Sequence, residues 1–212
     1  MTLPAGDLLD LLDWKRRVFE LYAEVRAADG DEGAWRRWRS VRDELFASHS
    51  QSPIPPEARA SFAGLPYFDH DPAARVLADV EPAEPEHYEI GTSDGGTYGF
   101  TRFGVARFSL YGRDLALEAY WLEGYGGGVF LPFRDATAGR ETYGAGRYLL
   151  DTVKGSDLGA EDGRLVLDFN FAYNPSCAYD PRWACPLAPP PNRLDVEVRA
   201  GERYVGAAAQ GE

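Results

Sequence analysis

The chain has 212 residues, a formal net charge of −12, 44% hydrophobic residues and 13% aromatic residues. That length supplies one sizeable domain, or a domain with a helical appendage. The acid excess argues against nucleic acid and anionic membranes, whose recognition needs clustered Lys and Arg. A small-molecule ligand or another protein remains as the partner class, while the sequence names no cofactor and sets no oligomeric state.

The segment from Met1 to Asp7 has neither a basic n-region nor an apolar run, and no later stretch approaches the length of a membrane span, so the expectation is a soluble, cytoplasmic protein. Lysine is nearly absent, only Lys15 and Lys154, while arginine is plentiful. This bias fits a GC-rich genome.

From Asp7 to Ala28 the residues Leu11, Trp14, Val18, Leu21 and Val25 recur at alternating spacings of three and four, with Leu8 and Tyr22 widening the stripe. This predicts an amphipathic helix. Asp29-Gly30-Asp31-Glu32-Gly33 ends it, and Trp35, Trp38, Val41 and Leu45 repeat the spacing through about Ala47, which makes an antiparallel helical hairpin. Arg36, Arg37, Arg39 and Arg42 have Glu20, Glu24, Asp43 and Glu44 as neighbours and read as solvated ion pairs, not as a basic patch. Pro55 and Pro56 close a breaker-rich linker and open a short third helix, Glu57 to Phe62. The aromatic stretch Gly64 to Pro72 then pins the helical part onto the remainder of the chain.

After about Ala73 short strands take over, predicted at Arg75–Val80, His87–Gly91, Thr97–Phe103, Val105–Leu110, Leu115–Leu122, Val129–Phe133, Arg147–Val153, Arg164–Ala172 and Leu194–Arg199. Turn chemistry joins them at Asp94-Gly95-Gly96, Gly104, Tyr111-Gly112-Arg113 and Glu161-Asp162-Gly163. No helical period lies among them, which excludes parallel crossovers. The fold class is α+β: a helical segment and linker over 1–72 bracing a mostly antiparallel β barrel or sandwich over 73–212, packed as one unit.

Candidate chemistry concentrates in the third quarter of the chain. Leu165, Leu167, Phe169 and Phe171 alternate with Val166, Asp168, Asn170 and Ala172, so Asp168 and Asn170 are expected on one face of a strand, running into Tyr173 and Asn174. A partly shielded aspartate can be tuned toward neutral pH, which makes Asp168 the candidate acid or base. Arg147 follows Tyr143-Gly144-Ala145-Gly146, where small residues let a ligand approach while the guanidinium grips an anion. The competing reading pairs Arg147 internally with Glu141, Asp151 or Asp168. With Glu141, Tyr143, Asn170, Tyr173 and Asn174 as binding residues, the expectation is a pocket for a small anionic or polar molecule, with or without catalysis. The alternative is a non-enzymatic protein whose polar cluster is structural. Cys177 and Cys185, eight apart in a Pro-rich loop, fit buried thiols or a local disulfide, and no metal site is expected. Gly126-Gly127-Gly128 reads as a flexible lip or a close backbone contact.

The runs GGGVFLPFRDAT, ETYGAGRYLLD, DFNFAYNPSCAYDPRWACPLAPPPNRL and VRAGE resemble the bacterial and archaeal family called domain of unknown function 1684. The resemblance extends over nearly the whole chain, including the Trp14 segment, Gln51–Pro56 and Leu65–Phe68. The family usually writes the turn with three glycines, and Ala145 departs from that, so Ala145 must sit at negative φ or cost some strain. The resemblance implies no activity and brings no catalytic residues.

Overall fold

In the computed structural model, residues 4–204 are described; the outer ends of the two predicted segments, 1–3 and 205–212, lie outside them. Helix α1 spans Ala5–Ala27 and α2 spans Glu32–Ser48. Their connection is a Schellman turn: Gly30 N bonds Val25 O and Asp29 N bonds Arg26 O, with Asp29 at φ 52°. Asp31 then caps α2 by accepting from Ala34 N at 2.7 Å. A short α3, Pro56–Arg59, starts at a proline as expected but stops earlier than Phe62.

Seven strands come next: β1 Arg75–Gly91, β2 Thr97–Leu110, β3 Arg113–Leu122, β4 Gly128–Phe133, β5 Arg147–Asp151, β6 Ala160–Glu161 and β7 Arg164–Asp168. They form one antiparallel sheet in the order β5-β4-β3-β2-β1-β7-β6. The sheet is not closed, although an isolated bridge, Tyr148 to Tyr173, links β5 to the chain just beyond β7. The architecture is α+β, with two N-terminal helices ahead of the sheet.

Several predicted boundaries move for identifiable reasons. The two segments expected before Gly91 are one strand, because the break at Pro82–Glu86 is a register shift, and those on either side of Gly104 are likewise one strand with an irregularity. The segment Leu194–Arg199 is not a strand. Its alternation is real, but its partner is only the short run 134–136, which gives Leu194 N to Arg134 O and Ala136 N to Val196 O without a ladder. β7 ends at Asp168 and a 3-10 turn, Phe169–Phe171, replaces the predicted strand end. β5 and β7 are not neighbours, although only the two-residue β6 separates them in the chain; β7 pairs with β1.

The core explains how the helices attach. Leu21, Tyr22, Val25, Trp35 and Trp38 belong to one apolar cluster with Leu131, Phe133, Leu149, Phe169 and Phe171. Trp38 meets Phe171 edge-on at 5.3 Å, and the Trp35 indole donates to Asn170 O at 3.2 Å. Within α1 the contacts with this cluster come from Val18, Leu21, Tyr22 and Val25, while Leu8, Leu9, Leu12 and Phe19 stay between 42% and 66% exposed. The other sheet face carries a second cluster, Ile90, Phe100, Tyr120, Phe130 and Tyr148.

The C-terminal stretch 193–203 straps these layers together through buried charges. Arg147, 1% exposed, donates from Nη1 to Ala200 O and Glu202 O and from Nη2 to Val198 O (2.9 Å) and Asp135 Oδ1 (3.4 Å). Val198 N bonds the other Asp135 oxygen at 2.8 Å. Glu202, wholly buried, takes Arg42 of α2 at 2.6 Å and both the backbone and side-chain nitrogens of Asn174 at 3.1 Å. Gly201 sits at φ +77°, where a Cβ would lie 2.5 Å from Phe169 O, so a side chain there would push the strap off the sheet.

Two outcomes are expected for stability. Arg147→Lys keeps the charge and loses the fork, so about two charge-assisted bonds at ~1.5 kcal/mol each go unmade; denaturant titration should register a loss near 3 kcal/mol, and a loss below about 1 kcal/mol would contradict the strap's dependence on that fork. Burial pushes the Glu202 carboxyl up to about 7 against the pull of Arg42 and Asn174. In the window from its ordinary 4.5 to about 7 the folded state holds a proton that the unfolded state has released, so stability from this group falls as pH rises. Glu202→Gln should lose that part of the slope; identical pH–stability slopes in both proteins would refute the assignment.

Candidate functional site

The second sheet face is where a cleft opens. Phe100 of β2 is directly opposite Leu122 of β3, and Tyr120 of β3 opposite Phe130 of β4, so the period of two brings these rings onto one surface. Phe100 and Phe130 stack at 5.1 Å, and Phe130 meets Tyr148 edge-on at 4.9 Å. Above this floor pass Leu11, Trp14 and Lys15 of α1, and the far wall is the loop Ser176–Pro186. Between them is a cleft of about 370 Å³ lined by Leu11, Trp14, Tyr98, Phe100, Leu122, Phe130, Val153, Trp183, Ala184 and Pro186, with Lys15, Gln51, Asp151, Lys154, Ser176 and Cys185 as its polar points. Leu11 is half-buried at the cleft, and Trp14 lies between the cleft and a small apolar cluster of Phe46, Ile54 and Leu65, with its ring 5.9 Å from that of Phe46.

The loop wall is fixed by backbone bonds. Ser93 N donates to Cys185 O at 3.0 Å, Cys185 N to Ser93 Oγ at 3.1 Å, and Ser93 Oγ to Trp183 O at 2.9 Å. Tyr148 donates to Pro186 O, and Leu187 N to Gly91 O. At the opposite wall, Gly128 lets the 3-10 turn Thr152–Lys154 come close, since a Cβ there would stand 2.5 Å from Val153 Cγ2. That contact settles what the third glycine of the run does.

Electrostatically the cleft is rich in donors. Lys154 Nζ is 3.3 Å from Asp151 and 5.8 Å from the centre of the Tyr148 ring, with its side chain 57% exposed. Burial lowers its pKa, but Asp151 and its neighbours outweigh that and raise it, so the ammonium stays charged. Lys15 forms no ion pair among the described residues. The Trp183 indole nitrogen is buried without a hydrogen-bond partner among them. Against these donors the cleft offers one carboxylate, Asp151.

None of the site residues expected from sequence lines this cleft, and the structure divides them among four places. Arg147 is in the strap, where both terminal nitrogens are occupied, and it touches Asp135, not Glu141, Asp151 or Asp168. Asn174 serves Glu202 and Arg203 O, and Tyr173 bridges Tyr148 beneath the Arg42 guanidinium. Glu141 pairs with Arg199 at 3.0 Å on the surface. Tyr143 packs on Tyr204 and reaches Cys177 Sγ at 3.9 Å. Ala145 is absent from the positive-φ residues and Gly146 takes φ +101°, as the departure from three glycines required.

Asp168 and Asn170 do meet, through the 3-10 turn and not through a strand pleat: Asn170 N and Nδ2 both donate to Asp168 Oδ1, at 3.0 and 2.8 Å. Asn170 also exchanges bonds with the Asp71 backbone. Asp168 lines a second, smaller crevice of about 150 Å³ with Gly30, Arg75, Glu161 and Phe171. Its Oδ2 and the Arg75 Nε are both buried without a hydrogen-bond partner among the described residues. Burial raises the Asp168 pKa while the Asn170 bonds pull it down.

The residues that sequence reasoning missed are Lys15, Lys154, Asp151 and Trp183. Scarcity was the available signal: the chain has two lysines, and both line one cleft. Among the described residues no cluster of His, Cys, Asp and Glu could hold a metal ion, and no helix is long and apolar enough to cross a membrane.

Comparison with known proteins agrees with this picture of a fold without an assigned reaction. No curated protein matches the chain. A solution NMR structure of an uncharacterized protein from gene locus rrnAC0354 of Haloarcula marismortui is similar at 40% identity and a TM-score of 0.60, covering 84% of this chain and 97% of that one. The family model described as "Protein of unknown function (DUF1684)" matches residues 60–203, and the chain therefore belongs to that family.

Proposed function

We propose that the cleft binds a small amphipathic anion: an apolar body lying on Phe100 and Phe130, with a carboxylate or similar acidic group at Lys154 and Lys15. One observation carries this reading. In a chain of net charge −12 the only two lysines line the same apolar cleft. Its volume of about 370 Å³ falls at the lower end of small-molecule sites, and its donors outnumber its acceptors, which favours an anion.

Trp14 and Trp183 line the cleft, so tryptophan fluorescence reports occupancy. Titration with straight-chain carboxylates from hexanoate to decanoate should saturate, each added methylene tightening binding about fourfold, the equivalent of ~0.8 kcal/mol per buried CH₂. Lys154→Met should weaken decanoate about tenfold and leave decanol within about twofold, as loss of one charge-assisted contact would. Lys15→Met, which breaks no ion pair, should act the same way more weakly. Absence of saturation by any carboxylate, or equal losses for acid and alcohol, would refute the reading.

The unpartnered Asp168 Oδ2 and Arg75 Nε support a second reading, a small polar ligand in the crevice beside Gly30. Here Asp168 is the candidate acid or base and Asn170 its orienting partner. Asp168→Asn retains an oxygen for both Asn170 bonds and removes a buried charge, so the variant should be at least as stable as the parent, the pattern of a residue kept for function at the expense of stability. A loss above about 1 kcal/mol on denaturation would make the carboxylate structural.

A further inference from the structure

Cys177 and Cys185 are free thiols placed against each other at the cleft wall: Cys185 Sγ accepts the Cys177 backbone N–H at 3.3 Å, and Tyr143 OH stands 3.9 Å from Cys177 Sγ. Cys177 is half-buried, while Cys185 is 3% exposed and lines the cleft. We propose that the two form a redox-active dithiol, with Cys177 the thiol that reacts with a hydroperoxide and Cys185 the thiol that resolves the product to an intramolecular disulfide. This assignment goes beyond the ligand reading and stands without it.

The division of labour has its cause in the surroundings. Contact with Cys185 and Tyr143 holds the Cys177 thiol down at about 6 despite burial, and Cys177 is the more exposed of the two, so the thiolate that a peroxide can reach is that of Cys177. Cys185 is pushed up by that same contact and by burial, and so keeps its proton. In the first step the Cys177 thiolate attacks the peroxide: an S–O bond forms, the O–O bond breaks, and an alkoxide or hydroxide leaves. Sulfur is oxidised by two electrons and the peroxide is reduced. In the second step Cys185 sulfur attacks the sulfenic sulfur; an S–S bond forms, the S–O bond breaks, and the departing hydroxyl takes the Cys185 proton as water. The loop between the two cysteines has little regular structure beyond one 3-10 turn, Ser176–Ala178, so closing the bond disrupts no ladder.

Treatment of the native chain with hydrogen peroxide, and then intact-mass measurement and non-reducing peptide mapping, should give a monomer lighter by two hydrogens with Cys177 linked to Cys185. Cys185→Ala should stop at a sulfenic acid on Cys177 that dimedone traps, and Cys177→Ser should leave Cys185 reduced. In the untreated chain, alkylation of Cys177 by iodoacetamide should rise with a midpoint near pH 6, and Cys185→Ala should move that midpoint upward. The proposal is overturned if excess peroxide leaves both thiols titratable, if the disulfide forms only between two chains, or if Cys185 oxidises as readily in Cys177→Ser as in the parent.

Discussion

The fold hangs on a guanidinium taken out of water. Arg147 on β5 satisfies three carbonyls of the C-terminal strap and one oxygen of Asp135, and Asp135 in turn receives Val198 N. A buried charge of this kind is tolerable only when it is nearly saturated with partners, and saturation fixes where those partners are. The strap is thereby set to place Glu202 between Arg42 of α2 and Asn174 beyond β7, which ties helices and sheet by one set of short, dry bonds. Segment 66–68 joins the same strap through Phe68 N to Gly201 O and Arg203 N to Pro66 O.

That arrangement leaves the cleft as a by-product of unequal coverage. The strap and the second half of α1 close the first face of the sheet, where Trp38 and Phe171 are buried. The first half of α1 extends past that core and overhangs the second face, whose aromatic rows are partly covered by α1, the Thr152–Lys154 turn and the Ser176–Pro186 loop. Polar groups therefore divide into two populations. Those of the strap are dry and mostly paired, with Arg147 Nε and Asn174 Oδ1 left without a partner among the described residues. Those of the cleft include Lys15, which forms no ion pair among the described residues, and the Trp183 indole nitrogen, which has no hydrogen-bond partner among them, both beside apolar rings.

Much of the fold was legible in the sequence and most of the site was not. The three-and-four spacing of Leu21, Val25, Trp35 and Trp38 gave the hairpin, and turn residues gave the strand ends, because both patterns are local. Pro82 and Gly104 read as breaks although they are irregularities inside continuous strands, and Leu194–Arg199 read as a strand although its neighbour is too short to make a ladder. Arg147 behind small residues looked like an anion grip; the closeness was real, but the visitor is the chain's own C-terminal segment. Lys15 and Lys154 lie in distant segments whose meeting depends on the whole topology, so no spacing rule could join them. Asp168 with Asn170 was the local pair that survived as a pair, held by a tighter turn than the alternation implied.

On the proposed reading the cleft accepts an apolar body on its aromatic floor and an acidic head at its lysines. Isotope-filtered NMR of the labelled chain with unlabelled decanoate should then show intermolecular contacts from the decanoate methylenes to the rings of Phe100 and Phe130, with the largest side-chain nitrogen shift at Lys154. Contacts confined to the exposed leucines of α1, or shifts centred on Arg75 and Asp168 with none on the aromatic floor, would contradict it.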